Sequence, residues 1–206
     1  MIIILDLFVK IFPGDKLLLI ENTYSSITLK IKGIGYKKIF NNYNPNTIYI
    51  NGIKQKQVNY TYYLNQTDNF IELIWNNAIE RTNSMFYNCI SLTSINFNNF
   101  DTSKVVDMEE MFNGCSSLTS LDLSGFDTSL VTWIDHLFNG CINLEYINLK
   151  NFKEYQKYKD SDYYEKMFYG VPDNVVICIN ENNNQNIIFP QIKQKTCYTI
   201  DCSDDW

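Results

Sequence analysis

Two hydrophobic rhythms divide the chain. In "ITLKIKG" the apolar residues Ile27, Leu29 and Ile31 alternate with polar ones, the pattern of a strand with one buried face and one wet face. "NTIYINGIKQKQ" sets Asn51-Gly52 between apolar runs, which predicts a type I′ hairpin because both central residues must take positive φ. Farther on, "LTSLDL" turns Leu118, Leu121 and Leu123 inward and Ser120 and Asp122 outward. Leu92, Ile95 and Phe97 repeat that spacing before it, Leu144, Ile147 and Leu149 after it, and "FIELIW" fits one step earlier through Phe70, Leu73 and Trp75. Between these strands the spacing becomes three and four: Val105, Met108 and Phe112, then Val131, Ile134 and Phe138. That spacing predicts the apolar face of a short helix. Thr132 with Asp135, and Asp107 with Glu110, sit where a helix start needs its caps. Asn88, Gly114, Gly140 and Gly170 share the position where a helix end needs a left-handed residue.

The same text returns at a fixed interval. Cys89, Cys115 and Cys141 recur every 26 residues, each inside a phrase such as "MFNGCSSLTSLDLSGFDTS", and a degenerate fourth pass begins at Met167. A constant period of this size predicts stacked units, each burying its apolar face only against its neighbours. The expected fold is therefore α/β, a right-handed solenoid with a parallel sheet and short helices on a repeat of about 26 residues. Residues 1–69 are expected to form a β-rich N-terminal cap and 70–180 the repeats. Residues 181–206 read as a polar tail that could open a further cysteine-containing module.

The stretch "FDTSKVVDMEEMFNGCSSLTSLDLSGFDTS" resembles the BspA-like leucine-rich repeats of surface proteins. That resemblance covers roughly residues 70 to 180 and makes the expected solenoid one of leucine-rich-repeat type. It implies an extracellular, non-enzymatic array used in adhesion or ligand binding.

Composition narrows the classes. The chain has 206 residues, 45% hydrophobic, 15% aromatic and only 19% charged, which suits a folded domain rather than a disordered one. Its net charge is −6 with no basic cluster, so the electrostatic source of nucleic-acid affinity is missing. No apolar run approaches the roughly 18 residues needed to span a bilayer. The opening "MIIILDLFVKIF" has no basic residue before it and is broken by Asp6, so it reads as a β-strand, or the clipped start of a longer chain, rather than a secretory leader.

Candidate chemistry is sparse. Val171 takes the cysteine slot in the fourth pass, so Cys89, Cys115 and Cys141 read as space-filling buried thiols. Cys178, Cys197 and Cys202 allow at most one bridge among themselves, which would mean an oxidising compartment. The tripeptides Asn59-Tyr60-Thr61 and Asn65-Gln66-Thr67 would fit that setting as glycosylation acceptors. His136 is the single histidine and reads as a surface residue, with no second histidine to build a triad or metal site. Asp101 and Asp127 read as turn-formers that accept N–H groups two residues on. No phosphate loop, nucleophile elbow or zinc motif occurs, so neither an enzyme nor a cofactor or metal is expected.

What remains is recognition. Glu72, Ile74, Ser94, Asn96, Ser120, Asp122, Tyr146 and Asn148 are expected to face outward from successive strands and line a concave sheet face. The partner would be a protein or glycan on another cell or matrix, and the chain would be at the cell surface or secreted. A structural spacer without a specific ligand is the alternative function, and the cytoplasm the alternative compartment.

Overall fold

In the computed structural model, residues 24–153 and 166–179 are described in full and 197–199 by backbone alone. The opening apolar segment and the polar tail apart from its strand at 197–199 lie outside the described residues. The larger sheet begins with β1 (Ser25–Lys32), whose Ile27, Leu29 and Ile31 are fully buried as the alternation predicts. It pairs antiparallel on one side with β6 (Asp68–Trp75) and on the other with β7 (Leu92–Asn99). β3 (Thr47–Ile50) and β4 (Ile53–Lys54) complete the order β4-β3-β6-β1-β7. Their hairpin turns on Asn51 and Gly52 at φ 50° and 79°, the two positive values that a type I′ turn requires. β2 (Gly35–Lys38) and β5 (Thr61–Leu64) form a separate two-stranded sheet.

A second sheet is parallel and narrow. β8 (Ser120–Asp122), β9 (Tyr146–Asn148), β10 (Val176–Cys178) and β11 (Cys197–Thr199) pair so that Leu121, Ile147 and Ile177 stand in one register row. β7 lies beside β8 without joining its ladder. Equivalent positions of the repeat are therefore neighbours in space.

The α/β leucine-rich-repeat solenoid expected from the sequence is overturned. No α-helix occurs among the described residues, the chain there is nearly all β, and the larger sheet is antiparallel. The segments predicted as helices are runs of tight turns. Within one repeat, Met85 N–H donates to Thr82 O at 3.0 Å, Tyr87 to Ser84 at 3.1 Å and Cys89 to Phe86 at 3.0 Å. The alternate N–H groups leave the repeat: Ser84 donates to Glu109 O, Phe86 to Met111 O and Asn88 to Asn113 O, at 2.8–2.9 Å. A helix would send every one of these bonds four residues back.

Backbone conformation explains why it cannot. The first three repeats each carry two left-handed residues four apart: Ser84 and Asn88, Glu110 and Gly114, His136 and Gly140. The glycine position was legible in sequence, but its companion, occupied by Ser, Glu and His, was not. Only three residues lie between the two, too few for a helical segment. Successive turns bury residues at intervals of three and four just as a helix does, so periodicity alone could not separate them. The predicted helix caps fall with the helices: Asp107 Oδ1 accepts from Glu109 N–H two residues on at 3.0 Å, and Thr132 Oγ1 donates to Val106 O at 3.0 Å.

The interior is built from columns. Phe86, Phe112 and Phe138 stack with ring centres 6.0 and 6.1 Å apart and planes within 11°, and Phe168 continues the column at 5.3 Å. Burying such a ring is worth about 1.5–3 kcal/mol. Beside them Cys89, Cys115 and Cys141 are free and fully buried. Cys115 Sγ donates to Phe86 O at 3.1 Å and Cys141 Sγ to Phe112 O at 3.2 Å. Leu92, Leu118 and Leu144 are all fully buried.

Candidate functional site

The strand residues expected on one concave face are divided between the two sheets. β1 separates β6 from β7, so Glu72 and Asn96 lie on either side of Thr28, with Tyr49 beyond Glu72. That puts β6 and β7 two strand spacings, about 10 Å, apart. In the next outward row Lys30 sits between Phe70 and Ser94. In the parallel sheet Ser120 stands beside Tyr146, and Asp122 beside Asn148. Ser94, Asn96, Ser120 and Asp122 are exposed, while Glu72, Tyr146 and Asn148 are half-buried.

Two residues change sides. Ile74, expected outward, is buried, and Phe70, expected in the core, is 56% exposed. β6 is a continuous eight-residue strand, and Phe70 and Leu73, three apart, cannot share one of its faces. Ile71, Leu73 and Trp75 point inward instead. In the later repeats the strand is three residues long and Leu118 precedes it in a turn, which is how the three-residue interval is accommodated there. Phe70 carries the Lys30 ammonium over its ring at 5.9 Å, and Lys30 also pairs with Asp68 at 3.4 Å.

Three of the polar candidates have local work. Asn96 Oδ1 accepts from Asn98 N–H at 2.8 Å, Asp122 Oδ1 from Ser124 at 2.9 Å and Asn148 Oδ1 from Lys150 at 3.1 Å. Asp122 and Asn148 close the turns that end their strands, while the Asn96 bond lies within β7, an arrangement the sequence reading missed although Asn and Asp favour it. Thr28, Lys30 and Tyr49 were missed as parts of the face. The first two were legible as outward residues of β1, but no local signal places β1 between β6 and β7.

The anticipated turn-formers behave as such. Asp101 and Asp127 accept from Ser103 and Ser129 N–H at 2.9 and 3.0 Å; both carboxyls are held below the usual range, Asp101 by the Ser103 N–H and then its side chain, Asp127 by the Ser129 side chain and then its N–H. The adjoining threonines tie repeats together: buried Thr102 Oγ1 accepts from Asp127 N–H at 2.8 Å, and buried Thr128 Oγ1 from Lys153 N–H at 2.7 Å.

A buried acidic group lies between repeats. Asp135 is 4% exposed, its Oδ1 has no hydrogen-bond partner, and neither has the buried Nδ1 of His136. Burial, then the Glu109 charge, pushes the Asp135 carboxyl up to about 6, with His136 acting against them. His136 is half-buried with φ 54°, not the surface residue expected. Burial pushes the Cys89 and Cys141 thiols up to about 12 and Cys115 well above its usual value, which leaves them without the thiolate that nucleophilic chemistry needs. Cys178, by contrast, is disulfide-bonded. Among the described residues no group of three or more His, Cys, Asp and Glu is placed to hold a metal, and no helix is long and apolar enough to cross a membrane.

Comparison with known proteins finds a family. A family described as "Mycoplasma protein of unknown function, DUF285" matches residues 56–175, more than half of the chain. No curated protein and no solved structure matches.

Proposed function

The chain belongs to the DUF285 family, whose description assigns no activity, and we propose that it is a non-enzymatic recognition module, secreted or displayed at a cell surface. A protein or glycan partner is held against the outward strand faces. The observation that carries this reading is Phe70: a large aromatic ring more than half exposed on a strand whose alternate residues are fully buried. Lys30, Thr28, Glu72 and Tyr49 surround it in the cross-strand rows. Aromatic side chains ringed by polar ones dominate the energetics of protein interfaces.

Compartment is argued from chemistry and text. The Cys178 disulfide fits an oxidising environment, and both Asn59 and Asn65 are exposed. The resemblance of the repeat text to BspA-like surface proteins points the same way. One specific observation favours the spacer alternative: Asn96, Asp122 and Asn148 already spend a side-chain oxygen on their own turns.

The two readings part in one experiment. The immobilised full chain is probed with matrix proteins and an array of cell-surface glycans, alongside a variant carrying Phe70→Ala and Tyr146→Ala. Recognition by the strand faces predicts a partner whose affinity falls about tenfold or more in the variant, equivalent to about 1.4 kcal/mol. If every interaction survives the double substitution, or none is found, the spacer reading stands.

A further inference from the structure

A cleft of about 460 Å³ opens where the loop before β3 meets the segment after β6, within the roughly 300–1,000 Å³ usual for small-ligand sites. It uses neither Phe70 nor Tyr146, and its walls are Tyr43 and Trp75, with Asn44, Asn77, Glu80 and Arg81 among the polar lining. The aromatic wall is held in place before any ligand arrives. Trp75 Nε1 donates to Tyr43 O at 2.8 Å, and the Tyr43 hydroxyl donates to Asn83 Oδ1.

We propose that this cleft binds a neutral saccharide. Part of the backbone around it is already committed: Asn46 N–H donates to Ile74 O and Asn76 N–H to Asn46 Oδ1, both at 2.7 Å, and Glu80 O accepts from Val106 N–H at 2.9 Å. These groups, together with the parallel bridge from Arg81 to Asp107, are not available to a ligand, and recognition falls chiefly to side chains. The Asn44, Asn77 and Glu80 side chains are exposed and make no hydrogen bond among the described residues. Two amides present donors and acceptors together, a carboxylate accepts and a guanidinium donates. Sugar hydroxyls, each able to donate and accept, answer that mixture.

Charge and shape select within the class. Arg81 Nη1 lies 3.7 Å from Asp107 Oδ2, with Glu80 next to it in the chain. An anionic ligand would meet two carboxylates beside one guanidinium, and a cationic ligand would meet the guanidinium itself. Half-buried Tyr43 offers an apolar surface to the C–H face of a pyranose ring, and Trp75, only 5% exposed, backs it from the core. A preset wall lowers the ordering cost of binding.

The test is an NMR titration of the isotope-labelled full chain with neutral disaccharides built from glucose, galactose, mannose and N-acetylglucosamine. A sialylated lactose and glucosamine serve as charged controls. At least one neutral sugar is expected to shift the Trp75 indole N–H and the Asn44 and Asn77 amides saturably, with a dissociation constant on the order of 1 mM. Asn77→Ala with Glu80→Gln should weaken it about tenfold and leave other resonances in place, whereas Phe70→Ala with Tyr146→Ala should leave it unchanged. No saturable shift with any neutral sugar, tighter binding of either charged control, or unchanged affinity in the cleft variant would overturn the proposal. Because the strand-face variant is scored separately, this proposal and the strand-face reading fail independently.

Discussion

Asp135 is held in a place that suits its neutral form. Its carboxyl is buried, one oxygen is unpartnered and Glu109 is close enough to repel it. With its value raised to about 6 from 3.8, the folded chain keeps a proton that the unfolded chain releases between those pH values. Stability therefore falls as pH rises through that window and remains lowered above it. Asp135→Asn, which removes the charge and keeps the shape, should be more stable than the native chain at pH 7.5 by on the order of 1 kcal/mol, with the advantage vanishing near pH 4. Urea midpoints at the two pH values check this; an equal difference at both would contradict it. The thiols show the same sign at the other end of the scale. Their folded values lie at about 12 for Cys89 and Cys141, so stability should decline as pH climbs past the ordinary thiol range, because only the unfolded chain ionises there. In native buffer none of the three should react with a thiol reagent until denaturant is added.

At the scale of the element, the repeated "FDTS" is a fastener. Its aspartate closes a turn, and its threonine reaches the next repeat, Thr128 Oγ1 both accepting from Lys153 N–H and donating to Lys153 O at 3.0 Å. Thr128→Val fills the same volume but strands both backbone groups, so it should cost about 1–3 kcal/mol in chemical denaturation. A cost no larger than that of an exposed substitution would show the bridge to be incidental. The left-handed positions allow a finer comparison. A Cβ at Gly140 would meet Gly114 at ordinary contact distance, so only its φ of 72° penalises a side chain. Gly140→Ala should therefore destabilise by about 1 kcal/mol, and Gly140→Asn by less, since asparagine tolerates this conformation and Asn88 already occupies the equivalent slot at φ 55°. At Gly114 a Cβ would also run into Asn88 Oδ1, so Gly114→Ala should cost more than Gly140→Ala.

At the scale of the whole molecule, the described cysteines are of two kinds. Three are sealed thiols in the column beside the stacked phenylalanines, and Cys178, at the end of β10, is oxidised. Peptide mapping without reductant should recover Cys178 in a disulfide, with Cys89, Cys115 and Cys141 alkylated only after denaturation. Recovery of all of them as thiols from oxidatively folded protein would remove the argument for an oxidising compartment. Much of this was legible in advance, including the period, the buried thiols, the turn-forming Asp101 and Asp127 and the hairpin at Asn51-Gly52. The division of the outward residues between two sheets was not, and the exposure of Phe70 was hidden by forcing β6 into the spacing of the later repeats.

Sequence alone determined the features that depend on neighbours a few residues away. Alternation made β1 a strand, Asn-Gly made a turn, and the period of 26 meant that whatever one repeat did, the next would do beside it. Tertiary structure decided what local spacing leaves degenerate. Turns and helices bury residues at the same intervals, and only the destination of each N–H, whether inside its own repeat or across to the next, tells them apart. Strand order was likewise settled at long range, because β1 pairs with β6 and β7, segments far along the chain whose meeting no local spacing records.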